Sequence, residues 1–270
     1  MTLDQVEKYI QEITDNIRKE SVIQTTAIRD GIFAILEKKC TVVYYPLDNE
    51  TNRGFHIKRY VGGRQEAFVY ITTANPLAEQ IFAAAHEFGH ICEVAEKVWK
   101  NLKATGNMTT EDEEEITNWF AAELLMPYDT FRESFRSHMS DLGIEPGPVS
   151  LNNLTRMIVL VMNDFMVPYE SVRRRLVETH LLDKKSADWL LSQDDQVKER
   201  IDFYTKDRNT VIDTHTGSRT ISGIRTLINK AEKSTTADPY IINKIKAEFG
   251  MQEASDSGDM HISIEDSGDE

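Results

Sequence analysis

Cysteine is almost absent: Cys40 and Cys92 are the only two in 270 residues, so no disulfide framework can brace the fold. No secretory leader is apparent, so the expected compartment is the reducing cytoplasm, with both thiols as ordinary buried side chains. Long apolar runs are missing too. None approaches the ~20 residues that a membrane-spanning helix needs, and no membrane association is expected. Positive charge is scarce, with 31 Lys and Arg against 45 Asp and Glu for a net charge of −14. A chain of that sign repels a phosphate backbone, so direct nucleic-acid binding is not expected. The basic run Arg173-Arg174-Arg175 is read as a solvated helix face or as internal ion pairs. Half of the net charge lies in residues 253–270, which carry seven acidic side chains and no lysine or arginine. That stretch, rich in Ser, Gly and Asp, is expected to be a disordered acidic tail, either solvating or recruiting a basic partner.

Against these absences stands one short motif, His86-Glu87-Phe88-Gly89-His90. On a helix, histidines at i and i+4 lie one turn apart on one face, so both imidazoles can reach a single metal ion. The glutamate between them can then act as general base on a metal-activated water. The helix is expected from an N-cap at Asn75, with Pro76 at the first helical position, to about Trp99. Its abundance of apolar residues, among them Ile81, Phe82, Ala85, Phe88, Ile91 and Val94, places it inside the domain. Gly89 weakens such a helix by about 1 kcal/mol relative to alanine, and close approach of another backbone is one reason to keep it. Satisfied core histidines without metal are the plainer alternative.

A catalytic zinc takes three protein ligands and keeps a position open for water. The third ligand is sought downstream, in Thr110-Glu111-Asp112-Glu113-Glu114-Glu115-Ile116-Thr117-Asn118 and the residues after it. Thr110 and Glu113 have the spacing of a capping box, so a second helix is expected there, ending at Pro127. Glu111, Glu115, Asn118 and Ala122 share one side of it, and Asn118 is placed to support a ligand from behind. Periodicity does not exclude Glu111 or Glu114. Glu123, among Ala121, Ala122, Leu124 and Leu125, is expected to be half-buried and paired.

Taken together, the H-E-x-G-H motif and the later Glu115-Ile116-Thr117-Asn118-Trp119-Phe120-Ala121-Ala122-Glu123-Leu124-Leu125-Met126-Pro127 resemble the ImmA/IrrE family of metallopeptidases. The downstream string is the more discriminating half. The resemblance extends to Phe165–Val172 and Arg175-Leu176, similar to the family's closing element, and spans roughly residues 10–182. It implies Zn²⁺ as cofactor and, by register with the motif, Glu115 as third ligand beside His86 and His90, with Glu87 as the catalytic base. Thr117 stands where the family usually has alanine. The implied activity is cleavage of a partner protein, typically a helix-turn-helix transcriptional regulator of a mobile element or stress response.

The remaining pattern predicts a predominantly helical α+β fold. An amphipathic helix opens the chain through Leu3, Val6, Ile10, Ile13 and Ile17, and a second covers Thr26–Lys38. Three strands follow at Cys40–Pro46, Arg53–Val61 and Glu66–Thr72, the last two joined through Gly62-Gly63. They are expected to form a small three-stranded antiparallel sheet packed on the metal helix, with one edge free to take an extended substrate. The domain division expected is a peptidase domain over 1–182, a helical accessory region over 183–252 and the tail. An oxyanion-stabilising helper is also expected, with Tyr128, His138 and His180 as undecided candidates. Two rivals are weighed. One is a non-proteolytic regulatory binding module that keeps the fold but has no use for Glu87. The other is a deformylase-type hydrolase, whose upstream cysteine motif Cys40 does not supply.

Overall fold

A computed structural model describes residues 2–21, 26–47, 53–61, 63–102, 106–145, 147–206 and 211–251. The acidic stretch 253–270 and Gly62 lie outside them. Eight helices carry most of the first two-thirds of the chain. They are α1 (Leu3–Glu20), α2 (Gly31–Glu37), α3 (Leu77–Ile91), α4 (Val94–Asn101), α5 (Thr110–Leu125), α6 (Tyr128–Asp141), α7 (Leu151–Phe165) and α8 (Tyr169–Glu178). Strands β1 (Thr41–Tyr45), β2 (Gly54–Val61) and β3 (Arg64–Thr72) fall between α2 and α3. After α8 come α9 (Lys184–Ser192), α10 (Asp194–Thr205), β4 (Thr220–Ile221), α11 (Ile224–Glu232) and α12 (Pro239–Glu248). No helix among the described residues is long and apolar enough to cross a membrane.

The sheet differs from the expected antiparallel trio. It has four strands in the order β2-β3-β1-β4. Only the β2–β3 hairpin and the short β1–β4 pair are antiparallel; β1 runs parallel to β3, from Thr41 opposite Phe68 to Tyr45 opposite Thr72. The physical reason lies in the composition of the strands. β3 (Ala67-Phe68-Val69-Tyr70-Ile71) is apolar enough to be covered on both edges, whereas β2 carries His56, Lys58 and Arg59 and takes the outside place. With the hairpin occupying one edge of β3, β1 can reach only the other. β4 is two residues long and leaves no periodic signal.

Helix α3 lies between the inner face of this sheet and α5. Val42, Val69 and Ile71 from the sheet, Ile81, Ala84, Ala85 and Phe88 from α3, and Ile116, Phe120 and Leu124 from α5 are all at most 1% exposed. Each large side chain buried here contributes about 1.5–3 kcal/mol relative to exposure. The expected 77–99 helix is broken at Glu93, which adopts a left-handed φ of 54° and lets α4 turn away. Carbonyls freed at the break are met by lysines, with Lys58 Nζ donating to His90 O at 3.0 Å and Lys97 Nζ to Cys92 O at 2.6 Å. The capping box of α5 sits one residue earlier than expected: Thr109 and Asp112 exchange the bonds.

Gly89 lies at a tight contact between α3 and α5. A methyl group there would lie 2.8 Å from Thr117 Cγ2 and 2.9 Å from Phe120 Cδ1, so side chains of α5, not a second backbone, fill the space. Overpacking of this kind costs about 1–3 kcal/mol, against a propensity gain of about 1 kcal/mol for alanine. Gly89→Ala is therefore expected to lower stability in urea denaturation, and adding Thr117→Ala should recover part of the loss. A Gly89→Ala protein at least as stable as the parent would mean the helices separate freely.

Residues downstream of α10 fasten the start of α3. Thr214 O accepts from Leu77 N at 2.9 Å, Ser218 O from Thr73 Oγ1 at 2.7 Å, and Thr73 O from Gly217 N at 3.0 Å. Pro76 and His215 form an isolated bridge. Phe249, following α12, packs edge-on against Tyr45 at the end of β1, ring centroids 6.3 Å apart.

Candidate metal centre

His86 and His90 project from the same face of α3, with their Nε2 atoms 3.1 Å apart. The carboxylate that the fold brings to them is Glu114, one residue before the expected Glu115. Its Oε2 lies 3.2 Å from His86 Nε2 and its Oε1 3.4 Å from His90 Nε2. One ligand atom from each of the three falls within 4.8 Å of the others, a group able to hold a metal ion. Glu115 is exposed on α5 and is not part of this group. A step of one residue on an α-helix turns the side chain by about 100°, which separates the two glutamates.

The outer contacts fix the imidazoles. Glu113 Oε1 sits 3.1 Å from His90 Nδ1; a carboxylate can only accept, so that nitrogen carries the proton. Asn118 Oδ1 plays the same part for His86 Nδ1 at 3.0 Å. The two Nε2 atoms then face each other and the Glu114 carboxylate, a set of nitrogen and oxygen atoms of the kind that ligates a metal. A cation suits that set better than any neutral neighbour, and such outer partners are the usual supports of ligating histidines. Burial first, and then the neighbouring His90, hold the His86 imidazole below its ordinary pKa, which keeps it neutral and able to ligate.

Glu87 is 6% exposed. Its Oε2 is 2.9 Å from His56 Nδ1 on β2, and the His56 ring is stacked on His90, centroids 4.7 Å apart and planes 26° from parallel. Gly54, two residues earlier on the same face of β2, lies tight against β3: a Cβ there would be 2.9 Å from Tyr70 O. Nothing in sequence spacing singles out His56. Alternation would read the polar His56 and Lys58 as the solvent face and Phe55 and Ile57 as the core face. The structure has them the other way round, with Phe55 41% and Ile57 51% exposed and the two polar side chains turned toward α3.

None of the three helper candidates is among the residues that meet at the histidine pair. Tyr128 Oη accepts from Arg132 Nη1 at 3.0 Å, His138 Nε2 is 2.8 Å from Asp164 Oδ2 on α7, and His180 is exposed after α8 with φ 56°. Glu123 is buried and paired with Arg175. The arginine run is spent internally: Arg173 and Arg174 reach Glu170, and Arg175 reaches Glu123 and Glu178.

Residues 36–177 match the peptidase M78 family, described as the IrrE N-terminal-like domain. No curated protein matches the chain significantly. Among solved structures, a Mycobacterium tuberculosis transcriptional regulator is similar with a TM-score of 0.42 at 18% identity, over 62% of this chain and 46% of that one. The chain thus spans less than half the length of that solved protein.

Proposed function

This chain belongs to the peptidase M78, IrrE N-terminal-like, family, and on that premise we propose that it is a zinc-dependent peptidase of the cytoplasm. His86, His90 and Glu114 would hold the metal, and Glu87 is the base. The observation that carries this reading is the convergence of three potential ligand atoms, from His86, His90 and Glu114, with each histidine held from behind, beside a buried glutamate. Ligands at the 2.0–2.1 Å of zinc–nitrogen bonds in a tetrahedron stand about 3.3 Å apart, close to the separations seen here. Bound in this site, zinc would lower the pKa of water and polarise a scissile carbonyl. Glu87 Oε accepts the proton of the attacking water and delivers it to the departing amine nitrogen. Among the described residues β2 is paired on one side only, so an extended substrate segment can add to its other edge beside Glu87. By resemblance, the substrate is a helix-turn-helix transcriptional regulator, selected by surfaces outside the cleft.

Glu87→Gln tests the reading. General acid–base catalysis is worth about 10²–10⁴-fold, so that much of the cleavage rate is expected to vanish while zinc content stays unchanged. Substrates would be found as new protein N-termini that appear in cells expressing the wild type and not the variant. If both proteins generate the same cleavages, or neither generates any, the peptidase assignment falls and a binding role takes its place.

A further inference from the structure

We propose that His56 is a positioning residue that fixes the general base, an inference that rests on the peptidase reading above. Two contacts converge on it. Its Nδ1 is 2.9 Å from Glu87 Oε2, and its ring is stacked on that of His90, centroids 4.7 Å apart. A carboxylate only accepts, so the proton of that contact belongs to His56 Nδ1 and the bond is made to a charged group, the stronger kind. A glutamate has three rotatable bonds, and one bond from outside its own helix removes much of that freedom. Stacking on His90 holds the imidazole in turn, so base and candidate ligand, both on α3, are tied to each other through a side chain of β2.

His56 is not among the three residues whose donor atoms cluster, which separates it from a ligand role. Its side chain is 30% exposed against 7% for Glu87, so it forms the rim of the cleft and not its floor. It also sits on β2, at the point where that strand meets α3. The residue that steadies the base thus belongs to the element on which substrate would lie. Lys58, two residues on, reinforces this junction by bonding the His90 carbonyl.

The test uses the full chain loaded with zinc and acetohydroxamate as probe, since a hydroxamate chelates the metal and gives its proton to an adjacent carboxylate. Zinc content and hydroxamate affinity are measured for wild type, His56→Phe and His56→Asn, the last of which keeps a donor where Nδ1 stood. We expect zinc content to be unchanged in both variants, affinity about ten-fold weaker in His56→Phe, as suits loss of a charge-assisted hydrogen bond, and near wild type in His56→Asn. In a Glu87→Gln background the His56→Phe effect should disappear. Wild-type affinity in His56→Phe would overturn the proposal, as would zinc loss in that variant or equal weakening in both. A wild-type protein that binds no zinc would instead sink the metal reading itself.

Discussion

Glu114→Gln is expected to weaken zinc binding by more than about 100-fold, and Glu115→Gln to leave it unchanged. Outer partners of a metal centre are worth roughly 10–100-fold in affinity, and a direct ligand should exceed them. Replacing the Glu114 carboxylate by an amide removes its charge and one of the two oxygens that face the imidazoles, Oε2 toward His86 and Oε1 toward His90. Glu115 is solvated and outside the donor group. Asn118→Ala should fall between the two, because it frees the His86 ring without removing a donor. Competition against a chromogenic chelator gives all three affinities. Should Glu115→Gln be the variant that loses metal, α5 is rotated in the loaded protein and the geometry described here is not that of the working centre.

The second large effect concerns folding. Arg175 is 3% exposed, and each part of its guanidinium is used: Nε bonds Met126 O at 2.9 Å, Nη1 bonds Glu178, and Nη2 meets Glu123. Glu123 also accepts from Tyr128 N at 3.2 Å. This clamp joins the end of α5 and the turn after it to α8. Removing one partner of a buried pair strands the other charge and costs about 3–5 kcal/mol, so Arg175→Met should be destabilised by that amount at pH 8. The deficit should shrink toward pH 5. Burial pushes the Glu123 carboxyl up, and Arg175 opposes that push; without the arginine it rises further. An acid raised in the folded state stabilises below its unfolded pKa, and the contribution is lost as pH rises through the folded value. Urea melts at the two pH values measure this. A deficit below 1 kcal/mol, or one that ignores pH, would show that the pair is not a clamp.

How much of this could be read from the sequence depended on whether the information was local. The His86–His90 helix, the acidic α5 and the β2–β3 hairpin are each written in one short continuous stretch, and the structure has them all. The choice among Glu113, Glu114 and Glu115 is not local. Three adjacent glutamates differ only in the direction they face, and that is set by how α5 packs on α3. Spacing alone does not decide it, since Glu114 and Glu115 stand four and three before Asn118 and either can share its side of the helix. Nor does spacing single out His56, since its importance comes from a strand 30 residues away being laid across the metal helix. The parallel pairing of β1 with β3 was hidden for the same reason, because composition shows which strands are apolar and not which edges remain free.

The fastening of α3 by distant residues bears on how the protein is made. The three donor residues lie within 28 positions of one another, from 86 to 114, whereas the bonds at the entry to their helix reach 145 residues along the chain, as between Thr73 and Ser218. Contacts of short separation form early and those of long separation late. A chain still emerging from the ribosome can bring His86, His90 and Glu114 together before Thr214–Ser218 exist. The His86–His90–Glu114 triangle is thus able to form early in synthesis, and the bonds from Thr214–Ser218 to the start of α3 come later.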